Sequence, residues 1–412
     1  MIRYRLLLAL LTPLIWAWLW ARGKNEPGYR LRWKERLGLV AVEPAAQLWI
    51  HGASMGELVA GKPLINYYLE QGKSVLVTAF TPAGSQYVIR EFGDRVQHCY
   101  LPLDWPGAVK RFLRRAQPQR LIILETEIWP NLLAACHQAD IDVRYASARL
   151  TDRSVRGYQR YFSAKALRDV LLTVRAIGTQ TAADLERFIT LGVAPDAGQV
   201  TGNIKFDLSL PAGLGDQVQQ LRAEFGKRPL LLAASTHNGE EAAALRVAEA
   251  LRERWPNLLL ILVPRHPNRF GEVASLLVQS GIPYARRSQQ ETCSDDMTVY
   301  LADTMGEMLA FYAVADVAFV GGSLVPVGGH NVLEPILTET AVVVGPHLHE
   351  QPVAEELAEQ GAILLADDEQ ALLHHCQDLF ANPQLRSQQQ QQASGFLAAN
   401  RGALAKTIAL LS

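Results

Sequence analysis

The segment from Gly321 to Pro335 concentrates groups that could bind a polar ligand. It reads Gly-Gly-Ser-Leu-Val-Pro-Val-Gly-Gly-His-Asn-Val-Leu-Glu-Pro and follows an apolar, strand-like run. The glycine pairs Gly321–Gly322 and Gly328–Gly329 permit φ above zero, and we expect them to let backbone N–H groups approach a ligand closely. We expect His330 and Asn331 to open a helix whose positive end faces a phosphate, and Glu334, one turn on, to accept hydrogen bonds from a ribose diol. A glycine-rich connection with an ordinary helix cap would show the same pattern.

A second polar turn, His51–Glu57, also lies between a strand-like run and a helical one. Its small residues, among them Ser54 and Gly56, permit close contact with a substrate. Glu57 stands at the start of the helix, where the helix dipole partly stabilises its carboxylate. We expect Glu57 to act as a general base toward a hydroxyl nucleophile. The alternative is a first-turn glutamate that only caps the helix.

Two nucleotide-binding fingerprints do not apply to this chain. Residues Gly56–Lys62 match the phosphate-loop pattern GxxxxGK, but Pro63 replaces the Ser or Thr whose hydroxyl would bind Mg²⁺. Glu57 would also project negative charge toward the phosphates. The dinucleotide fingerprint GxGxxG is absent after the first strand-like run. Any nucleotide must therefore be held in another way.

Charged and hydroxyl side chains follow two further strand-like runs in the second half of the chain. Arg265 and His266 come directly after an apolar run and could pair with a phosphate. Ser235 follows another apolar run and could add a hydroxyl donor. Residues of these types at strand ends can equally be ordinary solvent-facing residues.

Two acids and a lysine complete the candidates in the first half. Glu125 and Glu127 follow the apolar run Leu121–Leu124 and could support Glu57 or contact an acceptor. The alternative is a polar loop before the next helix. Lys205 could bind a phosphate of either substrate, or it could simply belong to a hinge.

These turns require a scaffold of parallel strands and helices. From Leu48 onward, short apolar runs alternate with amphipathic stretches, which is typical of parallel βαβ units. We expect strands at residues 48–51, 74–79, 121–124, 142–146 and 176–178, and a second series at 230–234, 258–263, 299–302, 317–320 and 341–344. A chain of 412 residues is long enough for two such α/β domains.

The predicted organisation has four parts. They are an anchor over 1–24, a Rossmann-like acceptor-binding domain over 25–208, a linker over 209–228 and a Rossmann-like nucleotide-binding domain over 229–412, whose last helix could return to the first domain. Ligands of doubly wound sheets bind beyond the carboxyl ends of the strands, so we expect the site in a central cleft between the domains. The glutamines at 388–392 should form a solvated helix face.

The N-terminus carries an apolar segment, Leu6–Ala21, followed by Arg22 and Lys24. It falls short of the about 20 residues of a comfortable span, so a short tilted span and an interfacial helix both remain open. The basic residues favour the cytoplasmic side and anionic lipids. A cleaved signal peptide is the alternative, but no small-residue cleavage site follows. We expect a single anchor with the body on the cytoplasmic face of the membrane.

The bulk composition excludes several classes of function. A formal net charge of -1 provides no broad basic face for nucleic acid. The four cysteines are far apart and form no CxxC pair, so neither a disulfide framework nor a zinc site is indicated. The histidines lack HExxH spacing. We therefore expect neither a metal nor a cofactor.

Seven segments carry a joint pattern: Arg32–Gly38, His51–Glu57, Thr81–Ser85, Glu125–Asn131, Gly202–Lys205, Pro264–Pro267 and Gly328–Pro335. Together they resemble the 3-deoxy-D-manno-octulosonic acid (Kdo) transferases of lipopolysaccharide assembly through nearly the whole chain. These are glycosyltransferases of the GT-B fold, with two Rossmann-like domains.

The resemblance implies inverting, metal-independent transfer of Kdo from CMP-Kdo to the lipid A precursor, lipid IVA. It implies that Glu57 takes the proton of the acceptor's primary hydroxyl. Arg265 would face the nucleotide phosphate and Glu334 the ribose. The number of Kdo units stays open. The alternatives are another GT-B enzyme of UDP-linked sugars, a transferase or an epimerase, and a catalytically silent lipid-binding homologue.

Overall fold

The computed structural model describes residues 2–24, 26–42 and 46–412. The chain forms two compact units, one of Met1–Leu208 with Asn400–Ser412 and one of Ser209–Ala399. In the described residues, each unit contains a seven-stranded sheet whose strands pair in parallel. This confirms the predicted α/β class with two doubly wound halves.

The first unit alternates strands and helices from Leu48 onward. Its strands are β1 (Leu48–His51), β2 (Val75–Ala79), β3 (Gln97–Tyr100), β4 (Arg120–Leu124), β5 (Asp142–Ala148), β6 (Ala176–Thr179) and β7 (Gly198–Val200). Its helices are α1 (Ile2–Arg22), α2 (Trp33–Arg36), α3 (Met55–Glu70), α4 (Pro82–Phe92), α5 (Pro106–Ala116), α6 (Pro130–Gln138), α7 (Asp152–Tyr161), α8 (Ala164–Leu171) and α9 (Ala182–Leu191).

Both faces of the first sheet are covered by helices. Successive residues of a strand point to opposite faces, so Trp49 of β1 lies in a core with α5, α6, α8 and α9. Its neighbours Leu48 and Ile50 lie in the other core, with α3 and α4. The strand order is β3-β2-β1-β4-β5-β6-β7. The helix that follows β1, α3, thus packs on one face of the sheet. The helix that follows β4, α6, packs on the opposite face.

The second unit repeats this plan. Its strands are β8 (Leu230–Thr236), β9 (Leu259–Pro264), β10 (Tyr284–Arg286), β11 (Val299–Leu301), β12 (Val317–Val320), β13 (Ala341–Val344) and β14 (Leu364–Leu365). Its helices are α10 (Leu214–Phe225), α11 (Glu240–Arg252), α12 (Phe270–Gln279), α13 (Met308–Val314), α14 (Leu333–Leu337), α15 (Pro352–Glu359), α16 (Glu369–Ala381) and α17 (Pro383–Asn400). The order β10-β11-β9-β8-β12-β13-β14 places β8 beside β12.

The four strands that the sequence did not predict are β3, β7, β10 and β14. Each is short and lies at or near the edge of its sheet, and β3 carries the polar residues Gln97 and His98. The apolar runs that identify central strands are therefore missing. Sheet pairing with a neighbouring strand compensates for the weak local pattern.

Two segments near the predicted domain boundaries have defined positions. Residues 209–228, assigned to a linker from the sequence, contain α10, which packs on α13. The last helix, α18 (Ala403–Leu411), belongs to the first compact unit and packs on β5 and β6. Asp207 accepts hydrogen bonds from the backbone N–H groups of Gly402 and Leu404, at 2.7 and 2.5 Å, and so caps this helix.

The expectation of a solvated glutamine face is wrong at Gln389. This side chain is 4% exposed. Its amide accepts from the N–H of Val342 at 3.0 Å and donates to the carbonyl of Val342 at 2.9 Å. Because β14 pairs only with Val343 and Val344, it leaves the preceding backbone groups of β13 unpaired, and Gln389 satisfies them.

Candidate active site

Acidic residues from two separate turns meet at the carboxyl end of the first sheet. Glu57 follows β1, and Glu125 and Glu127 follow β4, the strand that pairs with β1. Where neighbouring parallel strands connect to helices on opposite faces, a crevice opens between the two connections. The structure therefore brings these three sequence-predicted residues to one crevice within the first unit.

Glu57 belongs to the capping arrangement at the start of α3. Its backbone N–H donates to the hydroxyl oxygen of Ser54, the N-cap residue, at 3.3 Å. In return, its carboxylate accepts from the Ser54 hydroxyl at 2.9 Å and from the N–H of Ala53 at 2.7 Å. The capping role weighed from the sequence is thus present. Each carboxylate oxygen has a second lone pair, so the cap does not prevent Glu57 from accepting a further proton.

The environment of Glu57 raises its pKa to about 7. Burial is the largest cause, because it disfavours the charged carboxylate. The negative charges of Glu125 and Glu127 raise the pKa further, while the Ala53 N–H and His51 oppose the shift. A carboxylate with a pKa near neutrality can accept a proton from a hydroxyl and release it to water at physiological pH. Burial, charge and geometry together make Glu57 a suitable general base.

The side chain of Glu127 is held beside His51. The indole N–H of Trp129 donates to Glu127 Oε2 at 2.7 Å, and His51 Nε2 lies 3.9 Å from the same oxygen. His51 is fully buried, with its Nδ1 2.9 Å from the Thr78 hydroxyl. Trp129 therefore holds a carboxylate whose negative charge acts on Glu57, and no close ion pair with His51 neutralises it.

Glu125 and Lys205 form an ion pair at the same crevice. Lys205 Nζ lies 2.5 Å from Glu125 Oε1. Glu125 has a φ of 55°, an uncommon backbone conformation for a residue other than glycine, and one often found at functional sites. The phosphate-binding role expected of Lys205 would require its ammonium group to divide its contacts between Glu125 and the ligand.

Gly56, in the first turn of α3, is exposed and leaves room above Ser54.

A second candidate site lies at the corresponding crevice of the other sheet, where β8 and β12 pair. The buried carboxylate of Glu240, at the start of α11, accepts four backbone N–H groups there. The donors are His237 at 2.9 Å, Gly322 at 2.7 Å, Ser323 at 3.1 Å and Leu324 at 3.0 Å. The expectation that the Gly321–Gly322 turn offers its N–H groups to a ligand is therefore wrong, because a protein carboxylate already occupies them.

The second glycine pair also turns its N–H groups inward. Gly328 and Gly329 both donate to the carbonyl of Gly322, at 3.1 and 2.7 Å, and both have φ above zero. The helix starts at Leu333, not at His330 as expected, because the Asn331 side chain accepts the N–H of Leu333 and forms a turn first. The glycines thus shape the loop that positions His330 and Asn331.

A group of three histidines lies where these turns converge. The Nε2 atoms of His237 and His330 are 2.8 Å apart, and the His266 ring packs edge-on against His237 at 5.4 Å. Burial lowers the pKa of both His237 and His330, that of His330 to about 3, and the guanidinium of Arg265 contributes to both shifts. His330 is therefore neutral at pH 7, and one of the two rings donates an N–H hydrogen bond to the other.

The remaining predicted residues adjoin this group. Glu334 accepts a hydrogen bond from the Asn331 amide at 3.3 Å, and burial raises its pKa while Asn331 and Arg265 oppose the shift. Ser235 lies at a β-bulge of β8 with a φ of 55°. The second site therefore combines a guanidinium, neutral imidazoles, an amide and a carboxylate, which can bind an anionic group beside a diol.

The sequence-based list of site residues omits Glu240, His237 and His330. One signal for Glu240 was available, since it stands in the first helical turn after the first strand of its sheet, as Glu57 does. Its partners Gly322 and Ser323 are distant in sequence, so only the folded sheet reveals the contact. The pairing of His237 with His330 has no sequence signal for the same reason.

We predict that Glu240→Gln lowers the free energy of unfolding by about 1–3 kcal/mol. The amide keeps only one acceptor oxygen and turns an NH₂ group toward backbone donors that it cannot satisfy. Urea unfolding followed by circular dichroism measures the change, with the exposed Glu249→Gln on the same helix as the matched control. Equal stability of the two variants would contradict the assigned role.

Comparison with known proteins reveals relatives over the full length of the chain. The family model for 3-deoxy-D-manno-octulosonic-acid transferase (kdotransferase) matches residues 31–208. The 3-deoxy-D-manno-octulosonic acid transferase of Haemophilus influenzae is 38% identical over 417 residues, covering 99% of this chain and 97% of the relative. That of Bordetella pertussis is 37% identical over 425 residues, covering 98% and 97%.

A solved structure extends the likeness to the fold. The UDP-GlcNAc 2-epimerase of Neisseria meningitidis matches with a TM-score of 0.58 at 14% identity, covering 88% of this chain and 98% of that one. At this identity the match shows the fold alone, and it confirms the GT-B class. The identity to full-length relatives decides the family: this chain belongs to the 3-deoxy-D-manno-octulosonic acid transferases and is a Kdo transferase.

Proposed function

We propose that the enzyme transfers Kdo from CMP-Kdo to the lipid A precursor lipid IVA, with inversion and without a metal, in lipopolysaccharide inner-core biosynthesis. The observation that carries the mechanism is the half-buried Glu57 carboxylate, which Ala53 and Ser54 orient and whose pKa is raised to about 7. The Haemophilus and Bordetella relatives support the transferred sugar.

In this proposal Glu57 is the general base. Its carboxylate accepts the proton of the acceptor's primary hydroxyl as that oxygen attacks the anomeric carbon of Kdo. The bond from the anomeric carbon to the phosphate oxygen breaks on the opposite side, so the configuration inverts and CMP leaves with the bonding electron pair. Glu125 and Glu127 contribute by raising the proton affinity of Glu57.

The second site is proposed to bind CMP. Arg265 pairs with the phosphate, and His330 donates a hydrogen bond as a neutral ring. The Asn331 amide donates to the ribose hydroxyls, and the Glu334 carboxylate accepts from them. CMP departs as a phosphate monoester, which carries less charge than a nucleoside diphosphate. Fixed positive charge from Arg265 can therefore stabilise its departure without a metal ion.

The location follows from α1. Among the described residues it is the one helix that is long and apolar enough to cross a membrane. We propose that α1 anchors the enzyme at the cytoplasmic face of the inner membrane, where a tetraacylated acceptor also resides. Anionic lipid would attract Arg22 and Lys24.

We predict that Glu57→Gln lowers Kdo transfer by about 10²–10⁴-fold, because glutamine keeps the cap but cannot accept the proton. The assay supplies CMP-Kdo generated in situ and tetraacylated lipid A precursor in detergent with EDTA, and mass spectrometry counts the Kdo units. Glu70→Gln, exposed at the far end of α3, is the matched control. Near-normal transfer by a folded Glu57→Gln enzyme would exclude Glu57 as the base. Stabilisation of the enzyme against unfolding by added UDP, and not by CMP, would favour the UDP-sugar alternative.

We predict that kcat/KM of the wild type rises with pH through about 7, as Glu57 loses its proton. Glu125→Gln should move this rise to lower pH, because removing a neighbouring negative charge stabilises the Glu57 carboxylate. The released Lys205 cation acts in the same direction. A pH–rate series on both enzymes measures the shift, and an unchanged or upward-shifted profile in Glu125→Gln would rule out this tuning.

A further inference from the structure

The first contacts of α1 with the body lie at its start. The hydroxyl of Tyr4 donates to Asp104 Oδ2 at 2.8 Å, and its ring packs against Phe162 at 4.8 Å. The Arg5 guanidinium donates to the Asn131 side chain at 2.9 Å. Asp104 is 3% exposed. The N-terminal end of α1 is therefore seated in a specific polar contact with the first unit.

The far end of α1 is held by the same unit. Trp16 stacks on Trp33 at 4.3 Å with 21° between the ring planes. Leu19 is fully buried, and the carbonyl of Trp20 accepts from Arg30 at 2.8 Å. At 1.5 Å per residue, Tyr4 and Leu19 lie about 22 Å apart along the helix axis. The helix thus lies along the body instead of projecting from it by one end.

The outward side of α1 is apolar. Five large, exposed apolar side chains recur at a spacing of four residues: Ile2 (75% exposed), Leu6 (66%), Leu10 (75%), Leu14 (65%) and Trp18 (48%). Trp20, which lies off this spacing, is 58% exposed as well. This spacing forms one stripe on a helix. Five large apolar side chains in a row on a solvent-facing helix are costly in water and require a covering apolar phase.

The charges near α1 favour an anionic surface at both of its ends. Arg3 and Arg5 stand at its start, Arg22 and Lys24 at or just past its end, and no acid lies between residues 2 and 24. A helix that crossed the bilayer would place one of these basic pairs on the opposite side, against the preference of positive charge for the cytoplasmic side. A helix in the plane of the membrane places both pairs against anionic headgroups.

We propose that α1 lies in the plane of the membrane on the side of the catalytic body, with the stripe Ile2–Trp18 among the acyl chains, and does not span the bilayer. The inference rests on the proposed membrane anchoring and decides between the span and the interfacial helix. A helix that presents an exposed apolar side can insert that side at the boundary between headgroups and acyl chains.

The contact between Tyr4 and Asp104 also affects the carboxylate crevice. Asp104 accepts, besides Tyr4, the backbone N–H groups of Asn131 and Leu132 at 3.0 and 2.7 Å, and so caps α6. The turn with Glu125 and Glu127 leads directly into α6. The Asp104 carboxylate that holds α1 thus also holds the end of this turn. A helix α1 in the plane of the membrane would therefore set the position of the carboxylate crevice relative to the lipid surface.

Cysteine labelling of the full-length chain in cell membranes tests the orientation. The native cysteines are buried, so an introduced thiol reports its own position. Arg3→Cys, Lys24→Cys and the body control Ser275→Cys, all at exposed positions, are treated with a membrane-impermeant maleimide in spheroplasts and in inside-out vesicles. The proposal expects all three to react only in inside-out vesicles. Reaction of Arg3→Cys in spheroplasts, or from neither side, would overturn it.

A second measurement keeps the test independent of labelling. Tyr4→Phe in nanodiscs of zwitterionic and anionic phospholipid should lower the thermal midpoint by about 2–4 °C, through loss of its bond to Asp104. The control is Tyr161→Phe, at a residue that is 59% exposed. Equal thermal midpoints of the two variants would contradict the contact between Tyr4 and Asp104. Neither readout uses Kdo transfer, so failure of the proposed reaction would be seen separately in the transfer assay.

Discussion

The pairing of β1 with β4 is the constraint on which the catalytic proposal depends. The two strands are neighbours in the sheet, but α3 and α6, which follow them, pack in different cores on opposite faces. The turns after β1 and β4 must therefore part at the carboxyl edge of the sheet. That divergence brings Glu57 near the acids of the second turn, where burial and then their negative charges raise the pKa of Glu57.

The two sheets use a first-turn glutamate in different ways. Glu240 accepts four backbone N–H groups, so its lone pairs are directed into the protein, and its effect is to shape the loop after β12. Glu57 accepts one backbone N–H and one hydroxyl and stands opposite two further acids. The same residue type at the same place in the fold is thus a structural anchor in one unit and a proton acceptor in the proposal for the other.

Sequence reasoning succeeded where the signal is local. Central strands such as β8 and β12 are continuous apolar runs, and a glycine pair correctly marked the turn after β12. It failed where the decisive partner is distant in the chain. The turn at Gly322 looked free to bind an anion because Glu240, which occupies its N–H groups, stands in a different βα unit. Gln389 looked solvated because its partner Val342 belongs to a strand edge that local pattern cannot reveal.

The pKa of Glu57 is the quantity that tests the account most directly. Carbon-13 NMR of a chain labelled at the glutamate side-chain carboxyls would follow its titration, with Glu57→Gln identifying the resonance. The account predicts a midpoint of about 7 in the folded enzyme. A midpoint near 4.5, the ordinary value for glutamate, would show that neither burial nor the neighbouring acids act on Glu57, and would contradict its assignment as the general base.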